Sequence, residues 1–340
     1  MNKRFPSSTK NLGYMIAAVL FFALTLQSCT VGETFSNTDP SASPKTLGDV
    51  IEWRLTKDPS PERVSIETSN EWRNLTSEST HYAIWIGHAT FLINTGDVTI
   101  LTDPIFSQRA SPVSWAGPER LIAPTMSLQQ LPSIDAVVIS HNHYDHLDLP
   151  SLKQLQKNNP KMEILVAQGD KALLDAHGLV NVSEFRWWQN TRVKHTEFTY
   201  TPVQHWSGRG ITGRNTSLWG GWFVNSPDLS VYHAGDTGYS KDFIDTRKRM
   251  GAPDFAFIPI GAYKPRWFMR NQHVNPEEAV QVALDLQVKK SFGMHWGTFV
   301  LTDEAIEEPR SMLALALKQR SLAADFFVAP TPGAILRLTD

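Results

Sequence analysis

Past residue 80 the chain is written as short apolar runs broken by turn residues. Runs over 81–86, 90–94, 98–101, 134–139, 164–167, 196–203, 222–224, 229–233, 255–260 and 290–294 are rich in Val, Ile, Phe and Tyr. Short β-branched and aromatic runs of this kind predict strands, several of them buried on both faces. Helix signals lie between them. Asp148 with Pro150 opens a helix continued by 151–157, and Asn275 with Pro276 opens another reaching 286. A late helix is predicted over 304–319, and one more within 49–75. Strands interspersed with helices predict a layered α/β sandwich.

The run 134–139 ends in the densest chemistry of the chain, His141-Asn142-His143-Tyr144-Asp145-His146. Imidazole and carboxylate together suit zinc and its borderline neighbours. One ion cannot easily use all four groups. His141 and His143 can face one ion while Asp145 and His146 face a second. Three further candidates obey the same rule of lying just past a predicted strand: His205, Asp236 and His295. Strand ends in layered α/β folds share common edges, so these loops are expected to converge on one site. A pair of metals makes hydrolysis the leading reaction class.

Bulk properties narrow this further. The chain has 340 residues, 41% hydrophobic, enough for a large core, and a net charge of -2. With no basic run, nucleic acid is excluded as the expected partner. A single cysteine, Cys29, rules out an intrachain disulfide. It follows a positive start (Lys3, Arg4, Lys10) and an uncharged apolar run over 15–26, the size of a signal h-region. Leu26-Gln27-Ser28-Cys29 resembles the lipobox of bacterial lipoproteins. This predicts a signal peptide over 1–28, lipidation at Cys29, and a Ser/Thr/Pro-rich flexible tether over 29–48 ahead of the domain over 49–340. The expected location is the bacterial cell envelope, with the protein membrane-anchored and facing outside the cytoplasm.

His-x-His-x-Asp-His, a lone His, Gly-Asp-x-Gly and a last lone His, in that order, resemble the metallo-β-lactamase superfamily. The resemblance implies a four-layer αβ/βα sandwich with two divalent ions at one edge, zinc first among them. It assigns His141, His143 and His205 to one ion, Asp145, His146 and His295 to the other, and Asp236 as the bridge. More specific blocks, Leu101 to Ser107, Ile258 to Met269, Gln272 to Val280 and His295 to Phe299, are similar to the phospholipases D that hydrolyse N-acyl-phosphatidylethanolamines. That likeness runs from about Trp85 to Val328 and departs at the lipobox and over 207–216. It implies a phospholipid substrate, with Tyr144, Gln272 and His273 lining the site and Asp145, Asp236 and His273 serving catalysis. A lactonase or soluble-substrate phosphodiesterase of the same fold is the alternative, and a non-catalytic lipoprotein scaffold the second.

Overall fold

Side-chain alternation along the first strands sorts the chain into layers. The computed structural model describes residues 33–40, 45–56, 62, 64–76, 78–210 and 212–339. The expected signal segment and Cys29 lie outside them. Chain contacts separate residues 1–34 from a unit spanning Phe35–Asp340, which holds every element below. In β1 (Tyr82–Gly87) and β2 (Thr90–Asn94), Ala83, Trp85, Phe91 and Ile93 join one core, while Ile84, Ile86 and Leu92 join another. Period-two geometry sends neighbouring side chains to opposite faces, so both faces of this sheet are covered.

The first sheet also holds β3 (Thr99–Thr102), β4 (Ala136–Val138), β5 (Glu163–Ala167), β6 (Val182–Phe185) and, last in sequence, β14 (Ile335–Arg337), in the order β14-β1-β2-β3-β4-β5-β6. The second sheet has the order β13-β12-β11-β10-β9-β8-β7. Its strands are β7 (Asn190–Val193), β8 (Thr196–Thr201), β9 (Gly221–Asn225), β10 (Ser230–His233), β11 (Phe255–Pro259), β12 (Lys290–Met294) and β13 (Phe327–Val328). The sheets face each other across aromatic contacts: the Phe91 and Phe257 ring centroids are 4.4 Å apart and those of Phe185 and Trp222 5.4 Å. Helices α2 (Leu149–Asn158) and α3 (Lys171–Ala176) put Leu152, Leu155 and Leu174 on the outer face of the first sheet. Helices α4 (Asp242–Met250), α6 (Pro276–Leu286) and α7 (Glu308–Gln319) cover the second. Two more helices, α1 (Leu47–Thr56) and the short α5 (Arg266–Met269), lie outside these layers. The result is the four-layer sandwich. Among the described residues no helix is long and apolar enough to cross a membrane.

Local signals mostly act as read. The Asn275 side chain accepts from Glu278 N at 2.8 Å and Glu278 returns a bond to Asn275 N, a full capping box ahead of Pro276. The Asp148 carboxylate does not cap α2. It accepts from Ser107 Oγ at 2.7 Å and from Ser151 Oγ instead. The strand predicted over 196–203 stops at Thr201 because Pro202 has no N–H to give the ladder. The described part of the expected tether is not free: Phe35 N donates to Asn215 O at 2.8 Å, and α1 begins at Leu47.

Candidate metal centre

Strands β3 to β6 run parallel, as do β10 to β13. Their carboxyl ends open toward one edge, where chain leaving β4 and β10 can meet. Three bonds join the two sheets there. Gly220 N and the Tyr200 hydroxyl both donate to Ser140 O, at 3.0 and 2.6 Å, and Trp222 Nε1 donates to Ile139 O at 2.9 Å. Gly235, with φ +60°, turns the chain after β10 so closely that a Cβ would stand 2.5 Å from the Ser140 Cβ. This close approach brings Asp236 beside His141.

After Ser140 the loop curls back, with His146 N and Leu147 N both donating to His143 O. His141 Nε2 lies 2.8 Å from His143 Nδ1, and His205 Nε2 lies 3.3 Å from that same nitrogen. These three make the first donor set. Asp145 Oδ2 lies 3.5 Å from His146 Nε2 and 3.4 Å from His295 Nε2, which make the second. Asp236 Oδ2 is 3.1 Å from both His146 Nε2 and His295 Nε2, and 3.9 Å from both His141 Nε2 and His205 Nε2. It therefore faces both sets. All seven residues predicted as ligands converge.

Tautomers settle what these atoms want. His141 Nδ1 pairs with Ser140 Oγ at 2.9 Å, His146 Nδ1 with Asp103 Oδ2 at 2.8 Å, and His205 Nδ1 with Gln272 O at 2.9 Å. With protons on Nδ1, each Nε2 turns a lone pair inward. Among the described residues, His146 Nε2, His295 Nε2 and Asp236 Oδ1 are buried with no hydrogen-bond partner. A tetrahedral ion with bonds of about 2.0–2.1 Å needs donors about 3.3 Å apart, close to the spacings seen. The donor sets suit two divalent cations.

Charge divides the two sets. Burial lowers His141 well below its usual value, and His146, His143 and His205 push it further. Burial brings His143 down to about 4 against the pull of Asp145 and Asp236, and leaves His205 well below its usual value despite Asp236. In the second set burial also opposes protonation, but Asp236 and Asp145 outweigh it. His295 is pushed up to about 9 and His146 well above its usual value. Asp145 and Asp236 would be raised by burial, yet His146 above all holds both well below the carboxylate range. Without a cation these carboxylates draw protons onto the second set; a divalent ion would take the protons' place.

Behind the ligands stand groups whose part the sequence did not disclose. Asp103, fully buried at the end of β3, accepts from Ser140 N and Ser140 Oγ (both 2.7 Å), His146 Nδ1 and His233 Nε2 (2.9 Å). Burial would raise its carboxyl, but His233 and His146 hold it well below the usual range. The signal was present in Thr102-Asp103-Pro104, another acid at a strand end. His88 lies 2.9 Å from Asp145 Oδ2 and its ring packs 4.0 Å from that of His295. Burial, then His295, brings it down to about 3, so it is a neutral donor to Asp145 and falls within the same donor group. His81, His177 and His195 pair with Asp228, Leu173 O and Asp97, away from the centre.

The centre lies in a cleft of about 670 Å3 lined by Tyr144, Gln272 and His273, as expected, and by Trp53, Phe268, Met269 and Leu301. Tyr144 gives its hydroxyl proton to Arg209 O at 2.7 Å and stacks its ring under that guanidinium, 4.0 Å away. Burial outweighs Asp236 and brings His273 down to about 4; its Nδ1, 3.9 Å from Asp236 Oδ2, is buried without a hydrogen bond. Arg214 stacks on Trp206 at 4.3 Å, and its buried Nε has no acceptor among the described residues.

Facing sheets with a cluster of His and Asp side chains able to hold metal at their shared edge define a site of the metallo-β-lactamase type. A family profile described as "Beta-lactamase superfamily domain" matches residues 98–296. The chain is 39% identical over 276 residues to N-acyl-phosphatidylethanolamine-hydrolyzing phospholipase D 1 of Caenorhabditis elegans, covering 78% of each chain. It is 36% identical over 241 residues to the mitochondrial enzyme of that name from Saccharomyces cerevisiae, covering 69% of this chain and 51% of the yeast protein. A possible metal-dependent hydrolase from Veillonella parvula shares the fold, with a TM-score of 0.62 at 18% identity, over 76% of this chain and all of that one. The chain belongs to the N-acyl-phosphatidylethanolamine-hydrolysing phospholipase D family of the metallo-β-lactamase superfamily. It is a metal-dependent hydrolase, which sets the scaffold alternative aside.

Proposed function

We propose that this hydrolase cleaves N-acyl-phosphatidylethanolamine-type phospholipids, releasing N-acylethanolamine and phosphatidic acid. The observation that carries this reading is a two-cation donor set opening into an apolar cleft whose wall holds Arg214, with a buried Nε that has no acceptor among the described residues. A phosphodiester supplies the anion for Arg214, and acyl chains supply apolar surface for Trp53, Phe268 and Leu301. Leu55, Trp115 and Trp267 stand exposed on the segments that line the cleft, as an enzyme working on a lipid surface requires. The names of the worm and yeast relatives point to the same substrate.

Two divalent cations, zinc by the donor chemistry, would supply Lewis acidity and acidify water when bound. The protein's own residues do the rest. Asp145 and Asp236 hold fixed negative charge where a water proton is drawn off. His273, whose buried Nδ1 has no partner among the described residues, is placed to hydrogen-bond a phosphoryl or leaving oxygen. The water oxygen bonds to phosphorus, the bond from phosphorus to the ethanolamine oxygen breaks, and the leaving oxygen takes up the proton that the water gave up. Lipidation at Cys29 would tether the enzyme to the envelope membrane beside its substrate, raising the effective concentration of both.

The test is lipid product analysis with N-acyl-phosphatidylethanolamine vesicles, wild type beside Asp145→Asn. Release of both products by wild type alone is the expected result. A protein that carries its metals yet hydrolyses only a lactone or a soluble phosphodiester would overturn the lipid substrate and leave the hydrolase.

A further inference from the structure

We infer that Asn37, in the stretch that composition marks as tether, is a positioning residue of the metal centre, holding the ligand His205 by its backbone. His205 lies beyond the end of its strand. Strand β8 ends four residues before it, at Thr201, and only an isolated bridge between Gln204 and Gly238 follows. The backbone N–H and C=O of His205 find no backbone partner among the described residues, although the residue is buried. One side chain serves both. Asn37 Oδ1 accepts from His205 N at 3.0 Å, and Asn37 Nδ2 donates to His205 O at 3.0 Å. This two-point pairing is what a neighbouring strand would give.

The amide cannot be turned over, because Trp219 Nε1 also donates to Asn37 Oδ1 at 2.9 Å and that oxygen must face both donors. Bonds on either side hold Asn37 in place: Phe35 N to Asn215 O at 2.8 Å, and Thr38 Oγ1 to Asp242 Oδ1 at 2.6 Å. The ring of His205 is fixed separately, by Nδ1 donating to Gln272 O. Backbone from one side and ring from the other determine where Nε2 points. Without Asn37 two buried polar groups lose their partners and His205 moves to satisfy them. The first donor set then opens while the second, which contains no part of this strap, keeps its geometry.

This inference rests on the metal centre and not on the lipid substrate. Full-length protein stripped by chelator is titrated with Zn2+ against a chromophoric chelator. Wild type is expected to take two ions; failure to do so would count against the metal centre itself. In Asn37→Ala one ion is expected to bind about ten- to a hundredfold more weakly, the range typical of groups that orient a metal ligand, with the other unchanged. His205→Ala should weaken that same ion, and adding Asn37→Ala to it should cost nothing more. Equal weakening of both ions, no weakening, or additive losses would overturn the proposal. Thermal unfolding of the metal-free proteins separates a general loss of fold from the selective effect. If the alanine variant does not fold, Asn37→Ser, which keeps one acceptor, should show a smaller loss on the same ion, and an equal loss on both would overturn the proposal.

Discussion

The two cation positions share Asp236 but are built on opposite electrostatic plans. The first has three imidazoles and no carboxylate of its own, and burial keeps His141, His143 and His205 below the usual histidine value. In the second, Asp236 and then Asp145 raise His146 and His295 against burial, and Asp103 adds to the rise of His146. The first position is thus an organised set of neutral lone pairs. The second is a pocket of negative charge that something positive must fill. Geometry serves the first and charge serves the second.

The sharpest way to break that contrast is to remove what is common. Asp236→Asn should impair both positions. Breaking a buried charged network by removing one partner costs about 3–5 kcal/mol of stability, and hydrolysis should fall with the loss of both ions. Elemental analysis should find both ions depleted; loss of only one would mean Asp236 is not shared. pH should separate the positions next. His295 at about 9 and the raised His146 hold protons near neutrality, so a cation must displace them, and affinity at the second position should climb as pH rises toward about 9. His143, at about 4, is already proton-free, so the first position should stay nearly flat above about pH 5. Calorimetry in buffers of different ionisation heat would register proton release on filling one position only. Equal release at both would erase the distinction.

Asp103→Asn weighs on the second position first, because Asp103 pairs directly with His146 and reaches His141 only at one remove, through Ser140 Oγ. Zinc should bind there about ten- to a hundredfold more weakly. Retention of the first ion is the discriminating result. The smallest effect expected is from His88→Asn, which removes the donor to Asp145: about tenfold or less in zinc affinity at the second position, read in the same titration.

Sequence alone reached the layered fold and the seven candidate ligands that the fold brings together, because those signals are local. Apolar runs name strands, and four ligands in one loop name a site. Asp103 escaped because its part depends on β3 lying next to β4, an adjacency that no spacing reveals. The contact of His88 with Asp145 was out of reach of any local pattern, since it spans 57 positions. Strand β7 escaped for the opposite reason: it is a sheet edge whose residues are half-exposed or exposed, so it lacks the apolar signature. Composition misread residues 35–38, because few apolar side chains argues for a linker while a few well-aimed amide and hydroxyl groups do the anchoring.

The bonds that sew Ser140 and Ile139 to the opposite sheet have an evolutionary reading. They fix the spacing of the cleft floor by strand geometry, through Gly220, Tyr200 and Trp222. The walls above are made by α1, the 110–118 stretch and the chain around Phe268, and none of these takes part in that stitching. Mutational drift in the walls can therefore exchange one substrate for another while the floor stays the same. A lineage can diversify what it digests without reinventing how.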